Sequence, residues 1–242
     1  MQIFLAAAEA EIPGLLPLGF PMACLGCDLG EAFPAGTPRL PGGALVLGGP
    51  LRASAAGPLA EECRRRSVSA AVLGFGDAPA LDTLRLCDQL RRRRITPILA
   101  EEAWRPGCDG AALCSTALSG GSFQDRVSEA LTAYGGVALD LERTRRAFPL
   151  PCPDGEGQPL SAADFDALKS QGGEHFFTEA LQCQSFLAET AEGTRMVLYD
   201  DVDTVCRKTA LAASLGAGWA FLLAAEWDEA ELRALRAGLE GL

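Results

Sequence analysis

Val137-Ala138-Leu139-Asp140-Leu141-Glu142 opens on three apolar residues and closes on two carboxylates. Five other runs share the form: Leu5-Ala6-Ala7-Ala8 stops at Glu9, Val72-Leu73-Gly74-Phe75 near Asp77, Ile98-Leu99-Ala100 at Glu101, Met196-Val197-Leu198-Tyr199 at Asp200, and Phe221-Leu222-Leu223 near Glu226. Parallel strands covered on both faces read as continuous apolar runs, and in a closed β/α barrel the polar residues gather where the strands leave the core. The pattern predicts an α/β protein, a single (β/α)8 TIM-type barrel covering residues 1–242, with its chemistry on a carboxylate-bearing rim.

Working outward from that run, strands are expected at 2–8, 44–47, 70–75, 96–100, 111–115, 137–141, 195–199 and 220–224. The residues from Ile12 to Gly43, rich in proline and glycine, read as a long excursion in place of the first helix. Helices are expected at 57–66, at 79–93 with Leu81, Leu84, Leu86 and Leu90 on one side, after Ser122, after Ser161 and from Val205 to Leu215, with an amphipathic helix at the end of the chain. Phe176 to Ala188 is expected to pair as a hairpin with Arg195 to Tyr199. No glycine fingerprint follows the first strand, which disfavours an open dinucleotide-binding sheet.

The length of 242 residues is close to the usual barrel size of about 250. A formal net charge of −11 argues against nucleic acid or an anionic membrane as partner, since both require a positive face. The first residues lack a basic segment ahead of their apolar run, and no apolar stretch approaches the roughly 20 residues that span a bilayer, so a cytoplasmic protein is expected. Nine scattered cysteines suit reduced, buried thiols. Cys24 and Cys27 have metal or redox spacing, but no second pair and a lone His175 leave too few ligands, and no metal or cofactor is expected.

Asp140 and Glu142 are the sharpest pair, because residues two apart on a strand face the same side and adjacent carboxylates can keep one proton at neutral pH. Ion pairing to Arg143, Arg145 or Arg146 is the structural alternative. Tyr199, Asp200 and Asp201 end another run and are expected to bind ligand, with one aspartate capping the following helix and the other facing the mouth. Glu101 with Trp104, and Glu226 with Trp227, join an acid to an indole, as saccharide sites do through hydrogen bonds and ring stacking. Glu9 adds a further rim acid. The arginines at 64–66 and 91–94 read as solvated helix C-termini, Ser119-Gly120-Gly121-Ser122 as a turn and cap, and His175 as structural.

Tyr199-Asp200-Asp201, Val205, Lys208, Gly216-Ala217-Gly218 and the strand before Glu226-Trp227 together resemble the C-terminal part of the family 18 glycoside hydrolases, the chitinase-like and spore-peptidoglycan-hydrolase-like barrels. Residues Leu59 to Glu101 resemble that family's central unit, so the likeness covers about half the chain. It implies a barrel acting on an amino-sugar glycan through a strand of pattern D-x-x-D-x-D-x-E, whose glutamate protonates the glycosidic oxygen. By position along the chain the last two acids of that pattern fall on Gly74 and Gly76, which carry no carboxyl group. By local match Gly135 to Glu142 keeps the final D-x-E. Both alignments stand at the level of sequence. They imply either a hydrolase with Glu142 as general acid and Asp140 as its partner, or a non-catalytic barrel that binds a saccharide or a protein. A rim of carboxylates holding Mg²⁺ or Ca²⁺ is a third possibility.

Overall fold

The computed structural model describes residues 1–27, 39–48, 53–75, 80–152, 155 and 157–242. Eight parallel strands close into a barrel in chain order: β1 (Gln2–Ala8), β2 (Met22–Cys27), β3 (Ala44–Gly48), β4 (Ala70–Phe75), β5 (Thr96–Ala100), β6 (Ala111–Ser115), β7 (Val137–Asp140) and, last, β13 (Trp219–Leu223), which pairs with both β7 and β1. The helices are α1 (Ile12–Leu15), α2 (Ala56–Arg66), α3 (Ala80–Arg92), α4 (Phe123–Tyr134), α5 (Ala162–Gln171), α6 (Val202–Leu215) and α7 (Glu229–Gly238).

Alternation along each strand splits the core into two layers. Phe4, Ala6, Ala23, Ala44, Ala70, Val72, Ile98, Ala111, Ala138 and Phe221 fill the barrel interior. The alanines leave room for Phe4 and Phe221, whose rings stack at 4.9 Å, so a few large side chains fill what small ones leave open. Residues of opposite parity, among them Leu5, Leu45, Leu73, Leu99, Leu139 and Leu222, pack outward. On β7, Val137 and Leu139 therefore face outward and Ala138 inward, which sends Asp140 toward the mouth.

Two expected strands are corrected. The segment read as a pure excursion contains β2, whose Met-Ala-Cys-Leu-Gly-Cys lacks β-branched residues and becomes a strand because Ala23 and Cys24 are fully buried between neighbours. Residues 195–199 are not in the barrel. They belong to β12 (Gly193–Tyr199) of a second, antiparallel sheet ordered β10 (Phe176–Thr178), β11 (Cys183–Thr190), β12, β8 (Arg145–Pro149), β9 (Gln158–Pro159). Phe176 to Ala188 accordingly divides into two strands, β10 and β11, rather than one. This sheet and α5 are inserted between β7 and α6, at the mouth end of the barrel. One face packs Ala147, Phe186, Val197 and Tyr199 on Phe165 of α5, and the other packs Phe148, Leu181 and Leu198.

The helix caps follow the sequence. Ser122 accepts from the Asp125 amide at 3.2 Å, Ser161 from Asp164, and Asp201 and Asp228 form reciprocal boxes with Thr204 and Glu231. No helix among the described residues is long and apolar enough to cross a membrane. The solvated reading of the first arginine cluster fails at Arg66, which is 1% exposed and held by Glu62 and by Glu9, the latter at 2.9 Å. The cluster at 91–94 is exposed, as expected.

Candidate functional site

The end of β7 places Asp140 at the mouth, with Glu142 two residues beyond it and Glu226 in the turn after β13. Asp140 is pushed up to about 6 by burial first, and then by the negative charges of Glu142 and Glu226. No hydrogen-bond donor among the described residues reaches its carboxyl to offset this. Burial also raises Glu226, although the Arg143 amide donates to its Oε2 at 2.9 Å. Glu142 accepts from the Ser115 hydroxyl at the end of β6. Three carboxylates thus share one arc of the rim, spanning β6, β7 and β13.

Neither Asp140 nor Glu142 is ion-paired to the arginines that follow them. Arg143 instead reaches Glu231 of α7 with two bonds, at 2.6 and 2.8 Å, and lies 4.1 Å over the Trp227 ring. Trp227 is buried, and its indole N–H has no partner among the described residues. Between this arc and the inserted sheet lies a cavity of about 850 Å³, lined by Glu142, Glu226, Trp227 and Arg143 from the barrel side and by Arg145, Phe165 and Lys169 from the insertion. The volume is within the range that holds a small ligand, about 300–1,000 Å³.

The remaining predicted residues lie elsewhere. Glu101 is drawn to α4, where Arg126 pairs with it and the Tyr134 hydroxyl donates at 3.0 Å, while Trp104 packs on Tyr134 with ring centres 5.1 Å apart. Glu9 is engaged by Arg66. Tyr199 faces the core of the insertion and bonds His175 at 2.8 Å, which gives that histidine its structural role. Asp200 is 2% exposed and accepts from Lys208 at 2.7 Å, and Asp201 caps α6. Only Asp140, Glu142, Glu226 and Trp227 of the predicted set come together. Arg143 and Arg145, expected as ion-pair partners of Asp140 or Glu142, line the cleft instead, and Glu231, Ser115 and Lys169 escape sequence reasoning, although the Asp228-x-x-Glu231 cap was a signal that Glu231 would stand near Trp227.

Burial raises Cys63, Cys87 and Cys114 to about 12, which makes them inert core residues at neutral pH. Cys24 is buried, and the Cys27 side chain lies outside the described residues, as does Gly76. Among the described residues no group of three or more His, Cys, Asp or Glu side chains is arranged to hold a metal ion.

The fold that carries this rim is similar to that of solved family 18 chitinases and of a spore cortex-lytic enzyme. The spore cortex-lytic enzyme SleL of Bacillus megaterium QM B1551 superposes with a TM-score of 0.62 at 10% identity, over 98% of this chain and 73% of that one. A chitinase from Chromobacterium violaceum ATCC 12472 gives 0.61 at 15% identity, over 100% and 99% of the two chains. The family 18 chitinase of Cycas revoluta, solved with (GlcNAc)3, gives 0.59 at 12% identity over the whole of both. No family model and no curated protein sequence matches the chain, so the likeness is one of architecture.

Proposed function

We propose that this chain is a saccharide-binding barrel of glycoside-hydrolase type, holding an amino-sugar glycan at the carboxylate rim of β7 and β13 without cleaving it. The observation that carries this reading is the place of the acids. Counted around the closed barrel, the fourth strand is Ala70–Phe75, and its mouth end carries Gly74, followed in sequence by Gly76. The sequence resemblance puts the acids of hydrolysis on that strand, and glycine can neither donate a proton nor orient an acetamido group. The carboxylates that do converge stand at β7 and β13, suited to hydrogen-bond sugar hydroxyls. Residues 1–242 are read as one domain, with the insertion forming one wall of the cleft.

A second reading is favoured by one observation. A carboxyl held near 6 beside a second carboxylate has the properties of a general acid, so Asp140 with Glu142 could serve hydrolysis from a different arc of the barrel. Calorimetric titration of chitotetraose, together with chromatography of the incubated mixture, separates the two. Binding with no product is expected, with Glu142→Gln weakening it by about tenfold, the loss of roughly 1.5 kcal/mol in a charged hydrogen bond. Release of shorter sugars that is abolished in Glu142→Gln or Asp140→Asn supports the hydrolase instead, and absence of binding removes the saccharide reading.

A further inference from the structure

The wall of the cleft contributed by the insertion differs in charge from the rim opposite. In a chain of net charge −11, basic side chains have an excess of acids to pair with, and most of the described arginines have found one. Among the described residues lining the cleft, Arg145 and Arg146 on β8 and Lys169 on α5 have not, and no described carboxylate is within ion-pair distance of any of them. Arg145 and Lys169 both pack against Phe165: the Arg145 guanidinium carbon is 5.5 Å from its ring centre and the Lys169 ammonium 5.6 Å, with the Tyr199 ring centre 5.5 Å from the same ammonium. The Arg145 Nε–H is buried and without a hydrogen-bond partner.

The surrounding charges explain why these two cations remain unspent. Arg143, their neighbour in the cleft, is occupied by Glu231. Burial, and then the Arg143 charge, press against protonation of Arg145, while Glu231, Asp166 and Glu226 attract it from beyond ion-pair distance. A partly buried guanidinium without a carboxylate partner, packed on the same ring as an ammonium, gains from a planar anion delivered from solution. The opposite wall, with Glu142 and Glu226, repels an anion and accepts hydrogen bonds from hydroxyls, and although Asp166 also lines the inserted wall, the three cations there leave the cleft polarised along its width.

We infer that the cleft takes a saccharide bearing a carboxylate, the acid group on the inserted wall that carries Arg145 and Lys169 and the neutral hydroxyls turned to Glu142 and Glu226. This rests on the saccharide reading above and narrows it to acidic sugars. The test compares two disaccharides by calorimetry: glucuronic acid linked to N-acetylglucosamine, and the neutral di-N-acetylchitobiose. The acidic sugar is expected to bind about tenfold more tightly, the size of one charge-assisted contact, and to lose that advantage when salt is raised from about 0.05 to about 0.5 M. Lys169→Gln, at an exposed position, is expected to remove most of the preference, read as the ratio of the two affinities, and Arg145→Gln to do the same. Equal affinities, or a preference for the neutral sugar, overturn the inference and leave the saccharide reading standing. Failure of both sugars to bind overturns the saccharide reading and the inference with it.

Discussion

Replacing Lys208 by alanine is expected to destabilise the protein by about 3–5 kcal/mol, the usual consequence of leaving one member of a buried ion pair without its partner. Lys208 and Asp200 are 1% and 2% exposed and 2.7 Å apart. The lysine also donates to the Thr116 carbonyl at 3.3 Å, and Asp200 accepts from the Thr144 amide at 3.2 Å. The pair therefore joins α6 of the barrel, the loop after β6 and the two chain crossings into the inserted sheet. The second carboxylate oxygen of Asp200 has no partner among the described residues, so nothing would replace the lost ammonium. Urea denaturation measures the effect. The double replacement Asp200→Leu with Lys208→Met is expected to recover most of the loss, because two apolar side chains of similar volume avoid burying a charge. A loss below about 1 kcal/mol in Lys208→Ala, the level of an exposed pair, would show that this joint does not hold the insertion.

Asp140→Asn has the opposite sign and depends on pH. The folded protein raises Asp140 from its ordinary value of 3.8 to about 6, so ionising it disfavours the folded state. Below about pH 4 the carboxyl is protonated in both folded and unfolded chains, and asparagine changes little. As pH rises through 6 the wild-type protein loses stability that the asparagine variant keeps. At pH 8 the variant is expected to be more stable by about 1–3 kcal/mol, which raises the melting temperature by several degrees in a chain of this size. Thermal melts at pH 4 and pH 8 check it. A gain that is the same at both values would place the effect in packing and not in charge, and Asp140 would lose its standing as the strained acid of the rim.

The repeated halt of apolar runs at carboxylates made the barrel legible, because a strand buried on both faces has no room for polar residues until it leaves the core. The same signal misled at two places. Met196 to Tyr199 is apolar and ends at an acid, yet it packs on α5 in a separate sheet, and its aspartates turn to Lys208 and to the helix cap. Met22 to Cys27 has no β-branched residues, although Asp28 follows it in sequence, and burial by its neighbours makes it a strand. At the site, parity along β7 was sufficient to bring Asp140 and Glu142 to the mouth. Which other acids join them was not legible, since Glu9 and Glu101 are claimed by Arg66 and Arg126, residues remote in sequence. The polarised cleft depends on an inserted sheet folding over the rim, and that contact leaves no mark in local sequence.

The most direct measurement is a crystal structure of the protein soaked with chitotetraose. Intact sugar in the cleft between the ends of β7 and β13, its hydroxyls on Glu142 and Glu226, is the predicted result. Cleaved sugar there, or sugar seated over the end of β4 with the carboxylate rim bare, would contradict it.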